Sequence, residues 1–136
     1  MFMDHVDEAV GATIVDYLDR SDAPMRVAQL RVLGGASGRV AADATAYAHR
    51  SSPIMVNVAA FFVGPDDRPR RKAWVEELST ALNQGDDGAY VNFLADEGEA
   101  RVRAAYPGTT WDRLVEVKRW YDPENVFHHN QNVPPA

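Results

Sequence analysis

The sequence predicts an α+β fold: a small antiparallel sheet of three to four strands packed against helices. Three observations predict it. Apolar residues first recur at helical spacing, then fill two β-compatible stretches, then return to helical spacing. A glycine-rich turn, Gly34 to Gly38, follows directly on the first of those stretches, as between neighbouring antiparallel strands. Prolines and glycines punctuate the later helices.

Each element has its own reason. Val6, Val10, Ile14 and Leu18 form an apolar stripe, with Asp7, Glu8 and Asp16 off it, so a helix is expected over roughly residues 5–19. Met25 to Leu33 alternates partly and reads as a strand. Gly34-Gly35-Ala-Ser-Gly38 then reads as a hairpin turn before a second extended segment near residues 39–42. Pro53 to Val63 is apolar on both alternating faces, which marks a strand covered on both sides. Pro69 suits the first turn of a helix whose buried stripe is Trp74, Val75, Leu78 and Leu82. Residues 89–94 read as a short extended segment, and 97–105 as a helix stopped by Pro107 and Gly108. Thr109 or Thr110 is expected to cap a last helix with Trp111, Leu114, Val115, the Lys118 stem and Tyr121 on its packed side. Pro123 closes that helix, and residues 128–136 follow as an extended surface tail.

The 136 residues suit one domain with a single core, divided into residues 1–88 and a C-terminal stretch at 89–133. A formal net charge of −6 argues against a nucleic-acid partner, because a phosphate backbone needs a basic face. No apolar run reaches the roughly 18 residues of a membrane span, and the first residues lack the pattern of a secretory signal. The absence of cysteine excludes disulfides, thiolate metal ligands and a cysteinyl flavin link, and fits a cytoplasmic protein. The sheet edge makes a homodimer the expected assembly.

Several side chains invite chemistry. In an extended segment Tyr90 and Asn92 fall on one face, where a phenol and a carboxamide can bracket a planar polar ring. The structural alternative is a half-buried strand residue beside a turn former. His49 and Arg50 offer an imidazole acid/base next to a fixed cation, or a surface pair before Pro53. Arg68, Arg70, Arg71 and Lys72 crowd a helix start and read as a solvated basic face. His128 and His129 point opposite ways in an extended tail, so no metal site is expected. Gly34 to Gly38 is not expected to cradle phosphate, since it sits between strands rather than before a helix.

Tyr90-Val-Asn92-Phe93, followed by Lys118-Arg-Trp-Tyr121-Asp122-Pro123-Glu-Asn125-Val-Phe127 and then Gln131, closely resembles the C-terminal end of the berberine bridge enzyme-like FAD-linked oxidoreductases. More weakly, Gly35 and Ala44-Thr45-Ala46-Tyr47-Ala48-His49-Arg50 look like that family's glycine-rich turn and Thr-Ala-Phe-x-His-Arg element. The resemblance implies the second half of a substrate-binding domain. It implies Tyr90 and His49 as acid/base candidates, Tyr90 and Asn92 beside the flavin, and Phe93 and Arg50 against a small-molecule substrate. Phe93 stands where plant-like members carry a tyrosine thought to act as general base. FAD is implied by the resemblance alone, because the family's FAD-binding domain is not recognised in this chain. The chain then reads as a fragment of such an enzyme or as one half of a split one, completed by a partner chain that carries the FAD-binding domain. Two other readings stay open: a cofactor-free binding or cyclase-type protein, and a non-catalytic dimerising domain.

Overall fold

The structure, a computed structural model, describes residues 1–95 and 97–135. Ala136, the end of the expected tail, lies outside the described residues. The architecture is α+β as expected: a three-stranded antiparallel sheet and, among the described residues, five α-helices. The chain divides into two compact units, the first built from residues 1–33 and 52–86, the second from residues 34–51 and 87–136.

The first unit holds the sheet, in the order β1, β3, β2. β1 is Phe2–Met3, β2 is Arg26–Val32 and β3 is Ile54–Ala60. Both outer strands run antiparallel to β3, with Phe2 opposite Met55 and the longer ladder running from Arg26 opposite Ala60 to Val32 opposite Ile54. Helix α1, Glu8–Arg20, starts where Asp7 accepts the Val10 N–H at 2.9 Å. Its side chain thereby satisfies one of the donors that a helix start leaves open.

Between β2 and β3 the expected hairpin does not form. Gly35–Gly38 is a four-residue helix, α2, and residues 39–42 are not a strand. Gly34 and Gly35 have positive φ, 137° and 57°, which turns the chain out of β2 instead of back along it. β2 therefore pairs with β3 across a long excursion that belongs to the second unit. The glycine run itself forms that single helical turn, which is too short to hold an anion.

Helix α3, Arg68–Leu82, lies on the sheet with Leu78 and Leu82 buried. Met3, Ile14, Val56, Leu78 and Leu82 form the core, flanked by Tyr17, Ile54, Val58 and Trp74. Burying Leu78 alone stabilises by about 2 kcal/mol. The Trp74 indole N–H donates to the Tyr17 carbonyl at 3.1 Å, so its polar edge is satisfied within the packing. Arg71 corrects a further expectation: it is buried, and its guanidinium meets Asp22 at 2.6 Å and Asp67 at 2.9 Å. The neighbouring carboxylates make that burial tolerable, where a solvated face was expected.

In the second unit, α4 is Glu99–Ala105 and α5 is Thr109–Tyr121. Val102, Trp111 and Val115 form its core, with Tyr106 and Val133 against them. Gly108, not a threonine, occupies the cap of α5, with φ 57°, and Thr110 is buried as the helix's second residue. Tyr121, expected on the packed side, is 86% exposed. Residues 91–93 are a 3-10 turn and not an extended segment.

Candidate functional site

The site residues read from the sequence all lie in the second unit, on two stretches that the family resemblance had joined. One is the irregular run 44–51 after α2. The other is the 3-10 turn Val91–Phe93, closed by Phe93 N–H to the Tyr90 carbonyl at 2.9 Å and Leu94 N–H to the Val91 carbonyl at 3.2 Å. Ala89, buried just before the turn, donates its N–H to the Ala104 carbonyl at 3.4 Å and ties the turn to α4.

A 3-10 turn brings positions three apart onto one edge. Tyr90 and Phe93 accordingly meet edge to face, ring centroids 5.3 Å apart at 87°. The second ring against Tyr90 is Tyr47, 6.0 Å away at 86°. His49 packs edge-on to Tyr47 at 6.2 Å. Tyr47 thus stands at the centre of a Phe93–Tyr90–Tyr47–His49 aromatic run.

The polar groups are fixed around these rings. Asn92 donates its side-chain N–H to the Tyr90 phenol oxygen at 2.8 Å. That contact occupies an acceptor position on Tyr90 and leaves the phenol hydrogen for another acceptor. Tyr90 and Asn92 were expected side by side through strand alternation; they are side by side through a tight turn instead. Arg50 donates to the Ser37 carbonyl at 3.0 Å and the Thr45 hydroxyl at 2.7 Å, and its guanidinium lies 5.4 Å from the Tyr47 ring centre. Its cation is therefore held inside the loop, where it braces Tyr47. Burial, then the neighbouring Tyr90, pushes the Tyr47 phenol above its usual range, with Arg50 opposing. Tyr47 therefore stays protonated at neutral pH.

Tyr47 is the residue that sequence reasoning passed over. Its signal was available: it lies two residues before His49, and it is tyrosine where the resembled element has phenylalanine. Elsewhere in the unit, His128 and His129 lie ring against ring, 4.7 Å apart, instead of pointing opposite ways. Among the described residues no three His, Asp or Glu side chains converge on a metal position. No helix among them is long and apolar enough to cross a membrane. A cleft of about 750 Å³ opens between Leu94, Gly98, Glu99, Val102, Gln131 and Asn132. Gln131 walls it by donating to the Leu94 carbonyl at 2.8 Å.

What the ring cluster offers chemically is a half-buried set of aromatic rings packed edge to face, a phenol O–H oriented by a carboxamide, and an imidazole edge-on to Tyr47. Such a cluster can offer ring edges and an oriented O–H to a planar polar ring.

Known proteins point the same way. Residues 89–134 match the family described as berberine and berberine like. The chain is 35% identical, over 130 residues, to the uncharacterized FAD-linked oxidoreductase YgaK of Bacillus subtilis; the match covers 96% of this chain and 29% of YgaK. It is 38% identical over 66 residues to berberine bridge enzyme-like 24 of Arabidopsis thaliana, covering 48% of the chain and 12% of that protein. It is 27% identical over 146 residues to the aclacinomycin-N/aclacinomycin-A oxidase of Streptomyces galilaeus, covering 93% of the chain and 27% of the oxidase. The chain thus spans less than a third of the length of these curated relatives.

Proposed function

We propose, for a chain that belongs to the berberine bridge enzyme-like FAD-linked oxidoreductases, that it forms the substrate side of such an enzyme. The Tyr90–Asn92–Phe93 turn, with Tyr47 and His49, would face the isoalloxazine of an FAD held by an FAD-binding domain, on the same polypeptide or on another. The observation that carries this reading is the hydrogen bond from Asn92 to the Tyr90 phenol within an edge-to-face aromatic cluster.

The residues fit the ring of the cofactor. They offer aromatic edges and an oriented O–H to a planar heterocycle. When bound, FAD supplies the two-electron acceptor for a hydride leaving a substrate carbon. The chain's own contribution is orientation and proton handling. Tyr90, its oxygen already engaged by Asn92, donates to a carbonyl or anionic oxygen of substrate or ring. His49, edge-on to Tyr47, is the acid/base candidate. Phe93 takes no proton and serves as a wall. Tyr47, kept protonated, holds Tyr90 in place. Two relatives are named for small organic molecules, a monolignol oxidoreductase and an aclacinomycin oxidase, which supports a small-molecule substrate here.

The test is a chimaera in which this chain replaces its matching segment in YgaK. The expected product is a yellow flavoprotein whose flavin spectrum changes when Tyr90 is replaced by Phe. A colourless chimaera, or a spectrum indifferent to Tyr90→Phe, would remove the basis for the reading.

A further inference from the structure

The ring cluster holds two phenols, and only one of them has a partner for its oxygen. Tyr90 accepts the Asn92 side-chain N–H at 2.8 Å. The Tyr47 hydroxyl makes no hydrogen bond with any described residue, although the residue is half-buried. Nor is its oxygen sealed from approach.

The rest of Tyr47 is held. Its ring meets Tyr90 at 6.0 Å and His49 at 6.2 Å, both edge to face. The Arg50 guanidinium lies 5.4 Å from the ring centre and is itself tied to the Ser37 carbonyl and the Thr45 hydroxyl. The Tyr47 backbone N–H donates to the same Thr45 hydroxyl at 3.3 Å. Three neighbours thus fix the ring, and Thr45 fixes the backbone beneath it. A side chain already ordered in this way loses little freedom when a ligand arrives.

The hydroxyl is also short of water. Burial is the largest influence on this phenol and Tyr90 the next, so the two phenols act on each other. A half-desolvated O–H without a protein partner disfavours a ligand that leaves it unpaired and favours one that brings an acceptor. The element that 44–50 resembles has phenylalanine at this position. The oxygen is therefore what this chain adds to a ring that the cluster would hold in any case.

We propose that Tyr47 sets substrate preference, its O–H donating to an oxygen carried on the planar ring of the substrate, as on a phenol. The proposal rests on the function given above and deepens it by naming the substrate class: flat aromatic molecules with a ring oxygen. Tyr90 and Tyr47 then supply two donors to the substrate side, where Tyr90 alone would supply one.

The test uses the YgaK chimaera and two probes of nearly equal shape, para-ethylphenol and para-ethyltoluene, which differ by one hydroxyl for one methyl. Each is titrated by the change it makes in the flavin absorbance. The wild-type chimaera should bind the phenol about tenfold more tightly. Tyr47→Phe keeps the ring and removes the oxygen, so the two affinities should come within about twofold of each other, with the melting temperature moved by no more than about 1 °C. Tyr47→Leu, which gives up the ring as well, should lower the melting temperature; equal losses from both variants would make the hydroxyl structural and overturn the proposal. A chimaera that binds both probes alike, or neither, also overturns it, as does a Tyr47→Phe variant that keeps the wild-type preference. If that chimaera is yellow and its spectrum still answers to Tyr90→Phe, the proposed function stands. A colourless wild-type chimaera overturns both.

Discussion

Asn92 matters through a single bond. By donating to the Tyr90 oxygen at 2.8 Å it decides which way the phenol hydrogen faces. Removing that donor with Asn92→Ala leaves the phenol free to rotate, at a loss of about 1 kcal/mol of oriented hydrogen bonding, or roughly fivefold in turnover. Tyr90→Phe removes the donor outright and should cost more. Steady-state rates of the chimaeric oxidase check the order, and an Asn92→Ala rate equal to wild type would show that the carboxamide only fills space. Tyr90, Asn92, Phe93, His49 and Arg50 could be named as candidates from the sequence because they sit in recognisable motifs. Their roles were less legible. Arg50 is engaged by Ser37, Thr45 and the Tyr47 ring, which depends on how the 34–51 loop closes on itself. Tyr47 became visible only when that closure placed it against Tyr90.

Helices with strong periodicity were read correctly, and elements made by distant pairing were not; the apolar run at 53–63 is a strand only over Ile54–Ala60, with Phe61, Phe62 and Val63 exposed beyond it instead of covered on both sides. The apolar stripes of α1 and α3, and the continuous apolar run of β3, carry their own signal. β1 carries none, because two residues have no period; Phe2 and Met3 become a strand only by pairing with Met55 and Ile54. Yet both are fully buried. Phe2→Ala is expected to destabilise by about 3–4 kcal/mol, and Leu78→Ala in α3 by about 3 kcal/mol, as read from urea denaturation. A Phe2→Ala loss well under 1 kcal/mol would show that β1 is not part of the folded unit. At the end of α5, helical spacing said that Tyr121 could join the packed side, but spacing cannot report what stands opposite. Among the described residues nothing buries Trp120, Tyr121 and Phe127. The Lys118 ammonium donates to the Phe127 carbonyl at 2.6 Å, and the Asp122 carboxylate accepts the backbone N–H groups of Val126 and Phe127. Lys118→Met should free the 126–127 backbone from this clamp and raise its amide hydrogen exchange, while the Trp111 and Val115 side of α5 keeps its protection. Unchanged exchange at Val126 and Phe127 would mean that Asp122 holds the turn without the lysine.

At the scale of the whole molecule, electrostatics among the described residues ties stability to pH through three carboxylates. The Arg71 and Arg70 guanidiniums bring Asp22 down to about 2, Arg71 chiefly lowers Asp67, and Lys118 lowers Asp122 with help from the Val126 and Phe127 N–H groups. Each folded-state value lies below that of the unfolded chain. Their contribution is therefore complete above about pH 4, where the unfolded carboxylates are ionised too, and is lost as pH falls toward 2. Below that the chain also keeps the charge of fourteen Lys and Arg and four His, so general repulsion grows. The two effects separate by substitution. Arg71→Met removes the buried one of the two arginines that pair with Asp22 and Asp67, leaving Arg70, but scarcely changes the overall repulsion among eighteen basic groups. The variant should be less stable than wild type at pH 7, and the gap between them should close as pH falls from 4 to 2. Chemical denaturation at half-unit pH steps measures that gap. If it stays constant across the window, Arg71 acts through packing alone, and the acid sensitivity of the fold belongs to Asp122 and to general repulsion.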